Sequence, residues 1–193
     1  ERKGPPRGGL ADDHASITDG LRQLLEPECE VVGAVRDGRA LLKAARSLHP
    51  DIVVADVTMP LLNGIDAARH LLHELPETYV IFLTMHADRV YAAEAFDAGA
   101  LGFVVKHAAS AELWQAINAV VAGGAYVSPF TGGHGVIGAR GRAKLRKNLA
   151  SQRLSTRQRQ VLQLIAEGYS VKQVAVRLKL APKTVEVHKY GIM

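Results

Sequence analysis

The sequence holds one cysteine, Cys29, so no disulfide can form within the chain. A lone thiol fits a reducing compartment rather than an oxidising one. No run of 18 apolar residues occurs, which leaves no candidate for a membrane-spanning helix. The first ten residues, ERKGPPRGGL, lack the apolar stretch of a secretory leader. These absences lead us to expect a soluble, cytoplasmic protein. Acidic residues are scarce in the second half of the chain. Ser128–Met193 has two Asp/Glu against thirteen Lys/Arg, whereas Leu10–Val127 has sixteen against eight. An acidic half followed by a basic half implies two jobs, and the basic half suits a polyanion. With 48% hydrophobic residues in 193, the chain can form one full domain and a smaller second one, and disorder is excluded as the general state.

In the acidic half, short apolar runs alternate with longer amphipathic ones. The runs Val31–Val35, Ile52–Ala55, Val80–Leu83 and Phe103–Val105 are Val/Ile-rich without alternating polar residues. Strands buried on both faces of a parallel sheet read this way. Between them, apolar residues recur at helical spacing: Leu41, Leu42, Ala45 and Leu48; Ile65, Ala68, Leu72 and Leu75; Val90, Ala93, Phe96 and Ala100; Leu113, Ile117, Val120 and Val121. Ile17, Leu21, Leu24 and Leu25 form a further stripe before the first of these strands. The repeat predicts a doubly wound, parallel α/β sheet. One strand lacks its pattern. Before Asp12 stand Pro5, Pro6, Arg7, Gly8, Gly9, Leu10 and Ala11, of which only Leu10 is large and apolar. Proline cannot donate to a ladder and glycine packs nothing, so at most a short strand around Gly9–Asp12 is expected.

Asp12 and Asp13 precede the first helix, Asp56 ends IVVAD, Thr84 ends VIFLT and Lys106 ends FVVK. A lone Asp is usually a solvated loop residue. Five such positions at matching strand ends meet at the crevice where open parallel sheets bind ligands. Clustered carboxylates call for a hard dication, and Mg²⁺ prefers oxygen ligands. Beside it, the Asp56 carboxylate can act as a nucleophile toward a phosphoryl group. Lys106 supplies a point charge for phosphate oxygens and Thr84 a hydroxyl donor.

The residues ADDH (11–14), VVADVTMP (53–60), LTMH (83–86) and FVVK (103–106) resemble the receiver domain of two-component response regulators, over residues 10–127. The resemblance implies a flavodoxin-like receiver in which Asp56 is the phosphoacceptor. Asp13, Asp56 and the Thr58 carbonyl would ligate Mg²⁺, with Asp12 acting through water. It places Phe103 at the family's aromatic switch position, where the residue would otherwise be plain core. In that family phosphate draws the threonine inward and the aromatic follows, shifting a pre-existing equilibrium. It also places Thr58 and His86 beside the water that removes the phosphate. His107 follows Lys106 where the family often has proline.

The segment 128–150, with Gly132, Gly133, Gly135, Gly138 and Gly141 and then Arg140, Arg142, Lys144, Arg146 and Lys147, is expected as a flexible basic linker. Beyond it, Ser155 with Gln158 and Ser170 with Gln173 match the box that opens a helix. Gly168 sits at a helix stop and Pro182 in the first turn of a third helix. Three short helices make a helix-turn-helix unit, here over 151–193. LSTRQRQVLQLIAEGYSVKQVAVRLKLAPKTVEVHKYGIM (154–193) resembles the LuxR-type helix-turn-helix of the FixJ/NarL class. Val161, Leu164, Ile165, Val174, Ala175, Leu178, Val185 and Ile192 fit its core. The resemblance sends the third helix, Lys183 to Ile192, into the DNA major groove with Lys183, Thr184, Glu186, Val187, Lys189 and Tyr190 outward. Ala181 stands where an N-cap serine is usual, Gly191 falls inside that helix, and the sequence stops at Met193 before the fourth helix through which such domains dimerise.

The expected protein is thus a transcription regulator, not an enzyme. A sensor histidine kinase phosphorylates it, it dimerises when phosphorylated, and it binds double-stranded DNA. Two other readings compete. A chain that takes phosphate yet binds DNA poorly would follow from the departures in the third helix. A turnover phosphatase using an Asp nucleophile needs a second Asp two residues on, where this chain has Thr58.

Overall fold

The computed structural model describes residues 4–85, 87–132, 135–138, 161, 164–165 and 168–190, the side chains of 187–190 excepted. The chain divides into two compact units, Glu1–Gln152 and Arg153–Met193. In the first, strands and helices alternate as β1 (Arg7–Ala11), α1 (Ala15–Leu25), β2 (Glu30–Val35), α2 (Gly38–Leu48), β3 (Ile52–Asp56), α3 (Gly64–Glu74), β4 (Tyr79–Thr84), α4 (Arg89–Asp97), β5 (Gly102–Val105) and α5 (Ala109–Val121). A 3-10 turn, Lys106–Ala108, joins β5 to α5. Two short strands, β6 (Ala125–Val127) and β7 (Gly135–Ile137), follow. The sheet runs β2-β1-β3-β4-β5-β6-β7, parallel except for the last pair.

The pleat splits each inner strand between two cores. Val53 and Ala55 join Leu41, Ile65, Leu71 and Phe96 on the α2–α3–α4 face. Ile52 and Val54 join Leu21, Leu25, Leu113 and Ile117 on the α1–α5 face. Helices on both faces are why the inner strands carry continuous apolar runs. β2 is an edge strand and stays half-buried.

Two expectations need correction. β1 is not a short strand at Gly9–Asp12: it runs the five residues Arg7–Ala11, paired with β2 on one side and β3 on the other. Both of its ends are tied down. Arg7 donates its N–H to the Asp51 carboxylate (2.8 Å) and accepts from Asp51 N–H (2.9 Å), and Asp12 donates to the Val35 carbonyl (3.0 Å). Gly8 is small for a reason, since a Cβ there would lie 2.7 Å from the Cys29 sulfur. The second correction concerns the expected linker, 128–150. Its first part continues the sheet, with a 3-10 turn at Pro129–Thr131 and then β7 antiparallel to β6. Tyr126 and Ser128 donate their N–H groups to the carbonyls of Leu101 and Phe103 (2.8 Å each), so β5 is not an edge.

In the second unit, α6 (Val171–Leu178) opens with the expected capping box: the Ser170 side chain accepts from Gln173 N–H, and the Gln173 side chain accepts from Ser170 N–H. α7 (Pro182–Tyr190) begins on its proline. Val161, Val174, Ala175 and Val185 are buried, with Leu164, Ile165 and Leu178 packed against them. Ser155, Gln158, Gly191 and Ile192 lie outside the described residues. No helix among the described residues is long and apolar enough to cross a membrane.

Candidate functional site

Because β1, β3, β4 and β5 are parallel, their C-terminal ends share one edge of the sheet. Asp12 leaves β1 buried at 1% exposure, Asp56 ends β3 at 5%, and Thr84 ends β4 fully buried. Lys106 follows β5 and points back across the crevice. Its Nζ donates to Asp56 Oδ2 at 2.6 Å and lies 2.7 Å from Asp12 Oδ2. Burial alone pulls the Lys106 ammonium down, but the bonds to Asp12 and Asp56 outweigh it and hold its pKa above the usual lysine value. It is therefore a fixed cation at neutral pH.

The other partners are local. Thr58 N–H donates to Asp56 Oδ1 at 3.2 Å. Val57 N–H donates to the Leu83 carbonyl, and Gly64 N–H to the Val57 carbonyl, fixing the loop after β3. A Cβ on Gly64 would sit 2.0 Å from the Asp56 carbonyl oxygen, so only glycine lets α3 begin this close to the acid. His14, the residue before α1, donates its N–H to Asp12 Oδ1 at 2.9 Å. Its ring Nδ1 is 2.9 Å from Asp13 Oδ1 and 3.2 Å from Asp12 Oδ1.

One ligand atom from each of Asp12, Asp13, His14 and Asp56 fits within 4.8 Å of the others. Three carboxylates against one ammonium leave the crevice negative. Asp12 Oδ2 is buried against the Lys106 ammonium, 2.7 Å away. Three carboxylates gathered around that single cation supply the oxygen donors a hard dication prefers, so the residues present fit Mg²⁺.

The structure brings together Asp12, Asp13, Asp56, Thr58, Thr84 and Lys106. Phe103 lies on β5, three residues before Lys106. It is fully buried, paired with Phe82 on β4 and Val127 on β6, and shares a core with Ala92 and Phe96 of α4. His86 lies outside the described residues. His14 and Gly64 were not singled out from the sequence, although His14 stands in the ADDH motif itself. Glu112 of α5 was also missed. It is buried at 7% exposure, and with burial it pushes the Tyr126 phenol up to about 12.

In the second unit, Lys183 and Glu186 of α7 are exposed and Thr184 is half-buried. The side chains of Val187, Lys189 and Tyr190 lie outside the described residues. Ala181 offers no capping oxygen; its carbonyl accepts from Thr184 and Val185 N–H groups instead. Arg177 of α6 stacks over the Tyr169 ring, 4.1 Å from its centroid, and donates to its hydroxyl at 3.0 Å.

Known proteins share both parts. The family model described as the response regulator receiver domain matches residues 9–118, and that of bacterial regulatory proteins, luxR family, matches 152–193. The chain is 31% identical to the transcriptional regulatory protein DegU of Brevibacillus brevis, over 95% of this chain and 84% of that one. It is 34% identical to the transcriptional regulatory protein UhpA of Escherichia coli K12, over 95% and 88%. Among solved structures, RcsB from Salmonella enterica serovar Typhimurium, bound to promoter P1flhDC with the phosphomimetic BeF3⁻, aligns with a TM-score of 0.76 at 26% identity, covering 98% of this chain and 91% of that one. An acidic, lysine-bridged crevice on a parallel sheet and a capped helix-turn-helix, each matched by its own family, give one conclusion: the chain belongs to the two-component response regulators of the FixJ/NarL class, a receiver followed by a LuxR-type helix-turn-helix.

Proposed function

We propose that this regulator accepts a phosphoryl group on Asp56 from a sensor histidine kinase and, so modified, dimerises and binds promoter DNA through α7. The reading assigns the sheet from β1 through β7 and its helices to the receiver, and 151–193 to the DNA-binding domain. It places the protein in the cytoplasm, beside its DNA. The observation that carries it is the Lys106 ammonium held 2.6 Å from Asp56 in a crevice lined by two further carboxylates.

In the transfer, an Asp56 carboxylate oxygen attacks phosphorus. The new P–O bond replaces the P–N bond of the phosphohistidine, and the imidazole leaves with the electron pair and takes up a proton. Asp13, Asp56 and the Thr58 carbonyl would hold Mg²⁺, with Asp12 acting through water. Bound there, the ion offsets charge on the incoming phosphoryl group. Lys106, freed from Asp56 Oδ2, follows the charge to a phosphate oxygen. Thr84 donates its hydroxyl to another, and Phe103 repacks as Thr84 moves. Thr58 and His86 border the path of the water that later removes the phosphate, so exchanging both changes the lifetime of the phosphorylated state and not the fold.

On DNA, Lys183 and Lys189 contact phosphates, while Glu186 accepts from a cytosine and Val187 meets a thymine methyl. That the RcsB relatives are seen as dimers on DNA supports this arrangement. Each lysine–phosphate contact steepens the log–log salt dependence of binding by about 0.9.

The test is labelling by a small phosphodonor with Mg²⁺. The parent is expected to carry one phosphoryl group and Asp56→Asn none; equal labelling of the variant overturns the assignment. A phosphatase reading is disfavoured by Thr58, which stands where that chemistry needs a second Asp. Repeated turnover of an aryl phosphate would reverse that judgement.

A further inference from the structure

β6 is fastened to the strand that carries Phe103. Tyr126 and Ser128 donate their N–H groups to the carbonyls of Leu101 and Phe103, at 2.8 Å each. The carbonyl that holds Ser128 is thus that of Phe103 itself. Phe103 pairs with Phe82 of β4 on one side and Val127 of β6 on the other, and the three side chains share one core. After β6 the chain turns tightly, with the Thr131 hydroxyl and N–H both donating to the Ser128 carbonyl. Two contacts pin this turn to the rest of the receiver. Arg89 of α4 donates to the Gly132 carbonyl at 3.4 Å, and the His107 ring stands edge-on to Phe130, 4.7 Å between centroids. The seat beneath is only partly satisfied. Ser128 Oγ is buried without a hydrogen-bond partner among the described residues, and so is Oε2 of Glu112, the α5 residue that bonds the Tyr126 phenol. Each of these atoms leaves water without a replacement bond, so the dock is weaker than its apolar contacts alone would make it.

We propose that β6, the turn after it and β7 form a strap over β5 that phosphorylation loosens. The strap's release rests on the reading of Asp56 as the phosphoacceptor and of Phe103 as the ring that follows Thr84. A close-packed core has no spare room, so a ring that moves toward Thr84 withdraws from Val127. The Val127 side chain then loses contacts that no other group replaces. β6 is three residues long, and the loss falls on its last residue, next to the Ser128 bond. A strap held by so few bonds over an under-satisfied seat has two states close in free energy, and an event at Asp56 biases the balance between them. Release uncovers the outer edge of β5, including the carbonyls of Leu101 and Phe103 that the strap now occupies.

The experiment is amide hydrogen exchange on the full chain, resolved by NMR, with and without a small phosphodonor and Mg²⁺. Val54 of β3, in the middle of the sheet, is the reference. In the phosphorylated chain the Tyr126 and Ser128 amides are expected to exchange at least about tenfold faster, and Val54 no faster. Ser128→Ala removes the unpartnered hydroxyl, so it should slow both amides before phosphorylation and leave labelling of Asp56 unchanged. Unchanged or slower exchange at Tyr126 and Ser128, in a chain labelled on Asp56, overturns the strap and leaves the phosphoacceptor standing. Equal acceleration at Val54 overturns it too, since the whole receiver would then have loosened. Faster exchange in Ser128→Ala would mean that the hydroxyl holds the strap down, which overturns the weak seat. If Asp56 takes no label, the phosphoacceptor reading and the strap fall together.

Discussion

β1 and β3 are neighbours of equal length, and each delivers an acid to the crevice. β3 is Ile-Val-Val-Ala-Asp and β1 is Arg-Gly-Gly-Leu-Ala. β3 is buried at every position and β1 at all but its first, and both are paired on two sides. One strand carries its own warrant in side chains. The other is held by what surrounds it: the ladders of β2 and β3, the Asp51 carboxylate on Arg7, and Cys29 packed into the space that Gly8 leaves open. A central strand can thus be set by its slot rather than by its residues, because ladder hydrogen bonds use the backbone, which every residue except proline supplies in full.

This contrast can be broken by substitution. Trp114, the one tryptophan, lies in α5 of the receiver unit, so its fluorescence in urea follows that unit alone. The largest effect is expected at Leu10, the only large apolar side chain of β1 and 1% exposed. Leu10→Ala should cost about 2–5 kcal/mol. Val54→Ala, opposite it on β3, should cost less, because Ile52 and Val53 still fill their cores. Equal losses would mean that β1 is no more dependent on one side chain than β3.

Next comes Gly8→Val, which must displace Cys29 and should cost about 1–3 kcal/mol as overpacking. Adding Cys29→Ala should recover part of that loss. If the two changes are simply additive, the contact does not decide the residue at position 8. Gly9 is different. A Cβ there meets Val53 and Pro50 at 3.6 and 3.7 Å, ordinary contact distances. Gly9→Ala should therefore raise stability by about 0.4–1 kcal/mol, through the entropy of the unfolded chain. A loss would show that β1 needs glycine there for reasons beyond space.

The smallest effect at neutral pH is on β6, another strand that the apolar pattern did not announce. Tyr126 is buried first of all, with Glu112 adding its charge and hydrogen bond, and its phenol is pushed up to about 12 from 10.0. A raised pKa means that the folded state keeps the proton longer than the unfolded one. The stability tied to the neutral phenol is intact below pH 10 and is lost between about 10 and 12. Absorbance titration should show one tyrosine ionising last, together with the loss of the native Trp114 signal. Five tyrosines ionising together near 10 would contradict the burial of this pair.

The sequence by itself determined the alternation of β and α, the strand ends that carry Asp12, Asp13, Asp56, Thr84 and Lys106, and the capping box at Ser170. Each of these is encoded in neighbouring residues, through periodicity or short spacing. Only the tertiary structure decided the extent of β1, the pairing of β7 with β6, and the place of His14 among the carboxylates. These depend on backbone partners and on space left by residues far away in the chain. Gly8 makes sense only once Cys29 is seen above it, and Gly64 only beside the Asp56 carbonyl, because the physical constraint in each case is an atom that the local sequence does not contain.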